Sequence, residues 1–199
     1  MKVGVISDIH ANKFALESVL EDMPPTDKLI CLGDVIGYGP HPSECVEMVR
    51  GKADVVLCGN HETYLKNPKD CIMNKMAYEG ILHAKEELND EQVEWLVSRE
   101  KISKFGEEML IAHGYPDEDT PFKYVTPDNV TELIPYLTDS EADAVAVGHR
   151  HFLFKQDLTK FEEKSGIAFS PGSVGQPRDN DNRAAYAVYD TENKTVNLN

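Results

Sequence analysis

Basic side chains are scarce in this chain: 20 Lys and Arg stand against 35 Asp and Glu over 199 residues, a formal net charge of −15. Stable, non-specific nucleic-acid binding needs a surface that neutralises phosphates, so that class of partner is not expected. Small phosphorylated substrates remain open, because bound cations can invert a local field. Cysteine is sparse as well. Cys31, Cys45, Cys58 and Cys71 show no C-x-x-C spacing and no disulfide-scaffold density. Free thiols, two of them inside apolar runs, fit a reducing, cytoplasmic compartment. No apolar run approaches the length that spans a bilayer, and the segment from Met1-Lys2 to Asp8 is too short for a signal-peptide core. Internal repeats and low-complexity segments are absent too. With 41% hydrophobic and 28% charged residues, the expectation is one α/β domain over residues 1–199.

What the chain does have is five short apolar runs, each ending in residues that bind metals. Residues 3–6 lead to Asp8 and His10, residues 29–32 to Gly33-Asp34, and residues 55–58 to Gly59-Asn60-His61-Glu62. Residues 109–112 lead to His113-Gly114, and residues 144–147 to Gly148-His149-Arg150-His151. Short β-branched runs bounded by Gly and Asp read as buried strands of a largely parallel sheet. Ligands bind beyond the carboxyl ends of such strands, so these residues are expected to meet along one edge of one sheet. Of 7 histidines, only His41 and His83 fall outside these strand ends. One such histidine would read as an ordinary packed imidazole. Five of them, with two Asp and an Asn, make a ligand set sufficient for two metal ions if one carboxylate bridges.

Between the runs, residues 13–21 have helix-like spacing that Pro24-Pro25 must stop. A Gly- and Pro-rich loop over residues 37–42 leads to Ser43, read as the cap of a helix over 44–50. A β-α-β-α-β opening is thus complete by Cys58. Residues 62–105 form a mainly helical insertion placed to lean over the site. Within it, Met76, Ala77, Gly80, Ile81, Ala84 and Leu88 lie near one stripe of a helix over 74–88, and Asn89 or Asp90 caps a second over 91–97. Tyr64, Tyr78, His83 and Trp95 read as packing residues. Residues 152–199 alternate short strands with turns, the pattern of a second, antiparallel sheet or a sheet edge.

Asp8-Ile9-His10, Gly33-Asp34, Gly59-Asn60-His61-Glu62, His113 and Gly148-His149-x-His151 together resemble the motifs of the calcineurin-like metallophosphoesterases, in order and over nearly the whole chain. The segments Gly33 to Pro40 and Pro171 to Arg178 resemble the small prokaryotic branch, related to diadenosine tetraphosphatases and small phosphodiesterases. The resemblance implies a double-layered β-sandwich flanked by helices, α/β in class (α+β in some schemes). It implies that Asp8, His10, Asp34 and His151 hold one divalent metal and that Asp34, Asn60, His113 and His149 hold a second, with Asp34 bridging. His61 matches the catalytic histidine. The implied chemistry is attack on phosphorus by a metal-bridging hydroxide, with His61 protonating the leaving alkoxide.

The chain departs from the Ser/Thr protein phosphatases of that superfamily at Gly37-Tyr38, where they carry Asp-Arg, and at Cys58, where they carry Arg. The acid that would pair with the catalytic histidine and two phosphate-gripping arginines are therefore missing. Arg178 can instead supply a phosphate clamp. Arg150 is a weaker choice, since in extended backbone between two ligands its side chain would face away. The expected activity is dinuclear hydrolysis of small phosphodiesters or nucleotides. Phosphomonoesterase or phosphoprotein phosphatase activity is the nearest alternative, and a non-catalytic protein-binding scaffold stands further back. Manganese is the expected ion in vitro; Fe, Zn, Ni, Co and Mg also suit such ligands.

Overall fold

Alternation along the strands decides how the chain layers. The computed structural model describes residues 1–162 and 166–199. Its strands are β1 (Lys2–Ile6), β2 (Lys28–Cys31), β3 (Val55–Val56), β4 (Ile102–Phe105), β5 (Met109–Ala112), β6 (Ala144–Val147), β7 (Leu153–Asp157), β8 (Ile167–Pro171), β9 (Ala187–Asp190) and β10 (Thr195–Leu198). They form two five-stranded sheets, in the orders β10-β9-β1-β2-β3 and β4-β5-β6-β8-β7. Val3, Val5, Ile30, Met109, Ile111, Ala144, Ala146 and Phe169 point into one shared cluster between the sheets. Their neighbours in sequence point outward, Ile6, Leu29 and Cys31 toward the helices on the first sheet, and Leu110, Ala112, Val145 and Val147 toward those on the second. Both faces of each sheet are therefore dry, which is why β1, β5 and β6 read as unbroken apolar runs.

The same dryness misleads about sheet count. The five ligand-bearing strand ends belong to two sheets, β1, β2 and β3 to one and β5 and β6 to the other. A strand covered by helices on both faces and one covered by a helix and a second sheet have the same sequence pattern. Nor do residues 152–199 make a sheet of their own. β7 and β8 extend the second sheet, β8 running parallel to β6, while β9 pairs antiparallel with β1 in the first.

The helices are α1 (Lys13–Asp22), α2 (Pro42–Lys52), α3 (Asn60–Thr63), α4 (Lys75–Glu87), α5 (Asp90–Val97) and α6 (Ile134–Ser140). α2 begins one residue before Ser43: Pro42 occupies the first turn, where its fixed φ suits the helix and its missing N–H costs nothing. Ser43 Oγ instead accepts from Gln92 Nε2 at 3.0 Å, tying α2 to α5. Asn74 and Asn89 cap α4 and α5 through their side chains. The insertion is helical up to Val97 and then closes with β4, an edge strand. On α4, Ala77, Gly80, Ile81 and Ala84 are buried as their spacing requires, but Met76 is 69% exposed. Trp95 packs against the core and lies between the guanidinium groups of Arg50 and Arg99. Among the described residues no helix is long and apolar enough to cross a membrane.

Candidate metal centre

The loops that leave β1 and β2 stay side by side beyond the strands. Asp8 N–H donates to Gly33 O at 3.0 Å and His10 N–H to Asp34 O at 2.9 Å. The loops after β5 and β6 are tied in the same way, Gly148 N–H donating to His113 O at 2.8 Å. Both pairs converge at the end of the sandwich, and five of the residues there adopt the left-handed conformation. Asp8, His10, Asp34, His149 and His151 have φ of 55°, 49°, 51°, 67° and 64°. Such angles are uncommon outside glycine, and a cluster of them marks backbone held by its surroundings to aim side chains at one point.

Two groups result. Ligand atoms of Asp8, His10, Asp34 and His151 lie within 4.8 Å of one another, as do those of Asp34, His113 and His149. Asn60 joins the second group, its Oδ1 lying 3.2 Å from His113 Nε2. Asp34 Oδ2 stands where the groups meet, 3.8 Å from His10 Nε2 and 3.4 Å from His113 Nε2. Its other oxygen accepts the His61 N–H at 2.9 Å.

Hydrogen bonding sets which imidazole nitrogen is free. The Nδ1 atoms of His10, His113 and His151 face the carbonyl oxygens of Ile36, Leu32 and Gln176 at 3.2, 2.8 and 2.6 Å. A carbonyl only accepts, so each Nδ1 carries a proton and, wherever the ring is neutral, Nε2 presents a lone pair. The lone pairs of His10 and His151 then meet at 3.1 Å with no proton between them. His151 Nε2 also lies 3.2 Å from Asp8 Oδ1, a buried oxygen with no hydrogen-bond partner. Acceptors converging on acceptors is unfavourable unless a cation sits among them, and an imidazole steadied through its far N–H is the usual form of a metal ligand. The residues present fit divalent metal ions.

Electrostatics agree. Burial alone would raise the carboxyls of Asp8 and Asp34, but the neighbouring histidines outweigh it and both stay lowered, hence ionised. Burial pushes His10 down to about 3 and, with help from His113, His149 down to about 4, the neutral ligand form. His113 goes the other way. Burial lowers it, but Asp34, Asp8 and Glu62 outweigh that and raise it to about 9, a second sign that positive charge belongs beside Asp34.

His61 lies against the same point from α3, its Nε2 4.0 Å from Asp34 Oδ2 and its Nδ1 buried without a partner. Among the described residues no carboxylate replaces the acid missing at residue 37. Instead Gly37 (φ +97°) lets the ring lie flat against its backbone, where a Cβ would collide with Nδ1. The rings of Tyr38 and His10 flank it at 4.9 and 4.7 Å. His61 is held by packing.

Three supports escaped the sequence reading. Glu62 is wholly buried, and its carboxylate accepts the N–H groups of Gly59, Asp34 and Ile36 at 2.7, 3.0 and 3.2 Å, joining the loops that carry Asn60 and Asp34. Burial and the charge of Asp34 push it up to about 7, against the pull of those donors. Its position, three residues after Gly59 at the start of a helix, was a signal available in advance. Ser173 Oγ donates to Asp8 O at 2.8 Å, and Gln176 O receives the His151 proton, so the segment after β8 braces the first group. No local pattern announces that.

The two arginines differ from expectation and from each other. Arg150 does not lie in extended backbone, since both its neighbours have positive φ, and its guanidinium rests over the rings of Phe152 and Tyr124. Arg178 lines the cleft above the site, about 810 Å³ in volume, with its guanidinium held by Gln176 Oε1 at 2.7 and 3.2 Å. Tyr64 lines that cleft as well as packing on the core.

Similarity to known proteins fits this geometry. An uncharacterized protein of Methanocaldococcus jannaschii is 31% identical over 98% of this chain and 85% of its own length. A metallophosphoesterase crystal structure from Sphaerobacter thermophilus superposes with a TM-score of 0.83 at 30% identity, covering 100% of this chain and 87% of that one. A symmetrical bis(5′-nucleosyl)-tetraphosphatase of Methylococcus capsulatus is 27% identical over 58% of this chain and 44% of its own length. Residues 1–194 match the calcineurin-like phosphoesterase superfamily domain. The chain belongs to that superfamily and is a metal-dependent phosphoric ester hydrolase.

Proposed function

We propose that this protein hydrolyses small phosphodiesters or nucleotides at a dinuclear centre held by Asp8, His10, Asp34, Asn60, His113, His149 and His151. The observation that carries the reading is the position of Asp34 Oδ2, 3.8 Å from an imidazole of one group and 3.4 Å from an imidazole of the other. A pair of divalent ions there would supply the positive charge that activates water and steadies the phosphoryl oxygens. The chain's own residues do the rest. Asp8 and Asp34, ionised and dry, fix the charge balance of the site. His61 faces the cleft beside Asp34 and delivers a proton to the departing alkoxide. Burial lowers its pKa, with Asp34 opposing, which makes the protonated ring a stronger acid and also the less populated form near neutral pH. Arg178 grips a non-bridging oxygen by turning away from Gln176. Manganese is the ion we choose for reconstitution. The free thiols, three of them buried, are in keeping with a reducing, cytoplasmic setting.

Small esters are favoured over phosphoproteins because Gly37-Tyr38 and Cys58 leave the site without the acid that pairs with the catalytic histidine and without the arginines that grip a phosphoryl dianion. The name of the Methylococcus relative also points to a small phosphorylated substrate. The manganese-loaded protein is expected to hydrolyse a methyl 4-nitrophenyl diester with higher kcat/KM than phosphoserine peptides. A higher value for the peptides would reverse the assignment.

A further inference from the structure

One side of the cleft is out of character with the rest of this acidic surface. Ile72 is 91% exposed, Met76 69% and Tyr124 44%, and all three line the cleft above the candidate metal centre together with Tyr64, Met73 and Phe122. They come from two separate stretches. Tyr64 to Met76 run from the end of α3 into α4, and Phe122 and Tyr124 lie on the loop after β5. The wall is continuous with the site: the Tyr124 ring stacks on His149 at 4.6 Å and 29°, and Phe122 meets His113 edge-on at 5.9 Å. Met73 Sδ accepts from Asn60 Nδ2 at 3.0 Å. Large apolar side chains exposed together mark a surface that a ligand covers, and rings with thioethers suit a flat, apolar one.

Charge narrows the ligand further. Arg178 is the one Lys or Arg among the described residues lining the cleft. With Arg150 over the Tyr124 ring, a run of several phosphates would meet two guanidinium groups beyond any bound metal, in the field of a chain carrying −15. A single phosphate bearing a planar group satisfies both observations.

We infer that the wall of Tyr64, Ile72, Met73, Met76, Phe122 and Tyr124 selects substrates in which one phosphate carries a planar, apolar substituent, an aryl group or a nucleobase. This rests on the reading of the adjoining centre as a phosphoesterase site. It runs against a dinucleoside polyphosphate as the preferred substrate, whatever the name of one relative.

The test compares affinities of the manganese-loaded protein by calorimetry for methylphosphonate, naphthylphosphonate, a 5′-phosphonate of adenosine and a methylene-bridged diadenosine tetraphosphate. The naphthyl or adenosine compound should bind about tenfold more tightly than methylphosphonate, and whichever is tighter identifies the planar group as aryl or nucleobase. The double variant Ile72→Ser with Met76→Ser, at two surface positions whose loss leaves the core intact, should reduce that preference about tenfold. Phe161→Ser, at a residue also exposed at 61% but outside the cleft, should leave it unchanged. Equal binding of methyl and planar phosphonates overturns the inference. So does a preference that survives the double substitution, tighter binding of the tetraphosphate analogue, or a change of association state on sedimentation of the double variant. Hydrolysis of the methyl 4-nitrophenyl diester, followed in parallel, separates the two readings. Turnover without planar preference sinks this inference alone, and planar preference without turnover sinks the assigned reaction alone.

Discussion

The two ligand groups share Asp34 and differ in how they are built. Asp8, His10, Asp34 and His151 are 0–2% exposed, clamped between the β1 and β2 loops and the segment after β8. In the second group His113 is as deep, but Asn60 is 7% exposed and His149 only half-buried; both line the cleft, as the more deeply buried Asp34 and His151 also do. The first group is part of the sandwich. The second is part of the opening, where Asn60 depends on a four-residue helix and His149 on the stacked ring of Tyr124. Rigidity therefore falls from the first group to the second, and metal affinity should fall with it, since the supports of a ligand tune its strength.

Removing what the groups share should have the largest effect. Asp34→Asn takes away the one carboxylate oxygen that faces both, so both affinities should weaken. kcat/KM should drop by about 10³-fold or more, equivalent to the several kcal/mol that metal ions contribute to phosphoryl transfer. Elemental analysis with metal titration reads this directly. One site retained at full affinity would show that Asp34 serves a single ion.

Next comes a change that should leave both groups intact. His61→Ala is expected to keep both metals and the fold while slowing turnover by about 10²–10⁴-fold on an alkyl leaving group, and by less on 4-nitrophenolate, which needs little protonation to depart. His113→Ala, by contrast, should lose metal and recover partly with excess ion. If His61→Ala loses metal in the same way, or slows both esters equally, the histidine is not the proton donor.

What could be read in advance follows the same division. The strand ends were legible because each run is dry on both faces and is broken by Gly or Asp where the chain turns. β5 and β6 fall on the very residues expected, 109–112 and 144–147. The grouping of their ligands came from the family resemblance, and the structure brings those side chains together. The two-layered sandwich came from the family resemblance and is what the structure has, whereas the apolar runs alone suggested one sheet, because dryness does not say what covers a face. Met76 was misjudged because helical spacing cannot distinguish a side chain that faces the core from one that faces a cleft. Ser43 is not the cap, because Pro42, with its preset φ, starts the helix a residue earlier and leaves His41 at the N-cap position. The braces of the first group, Ser173 and Gln176, lie more than 160 residues beyond Asp8 and connect to it only through the fold.

The smallest expected effect is also the sharpest probe of the difference between the groups. Glu62 binds Gly59 and Asp34 N–H through one oxygen and Ile36 N–H through the other. In Glu62→Gln the carbonyl can keep the first two, but the amide nitrogen then faces the Ile36 N–H, donor against donor. Leaving a buried N–H unmet costs about 1–3 kcal/mol, which urea denaturation of the metal-free protein would resolve. The damage should be local. Gly59, which leads directly into Asn60, keeps its partner, while the N–H left unmet is on Ile36, whose carbonyl oxygen faces His10 Nδ1 in the first group. Titration of Glu62→Gln should therefore show the tighter binding step losing about 10–100-fold and the weaker step little changed. Equal loss in both steps would mean that Glu62 acts through the shared Asp34 and that the groups are a single rigid unit.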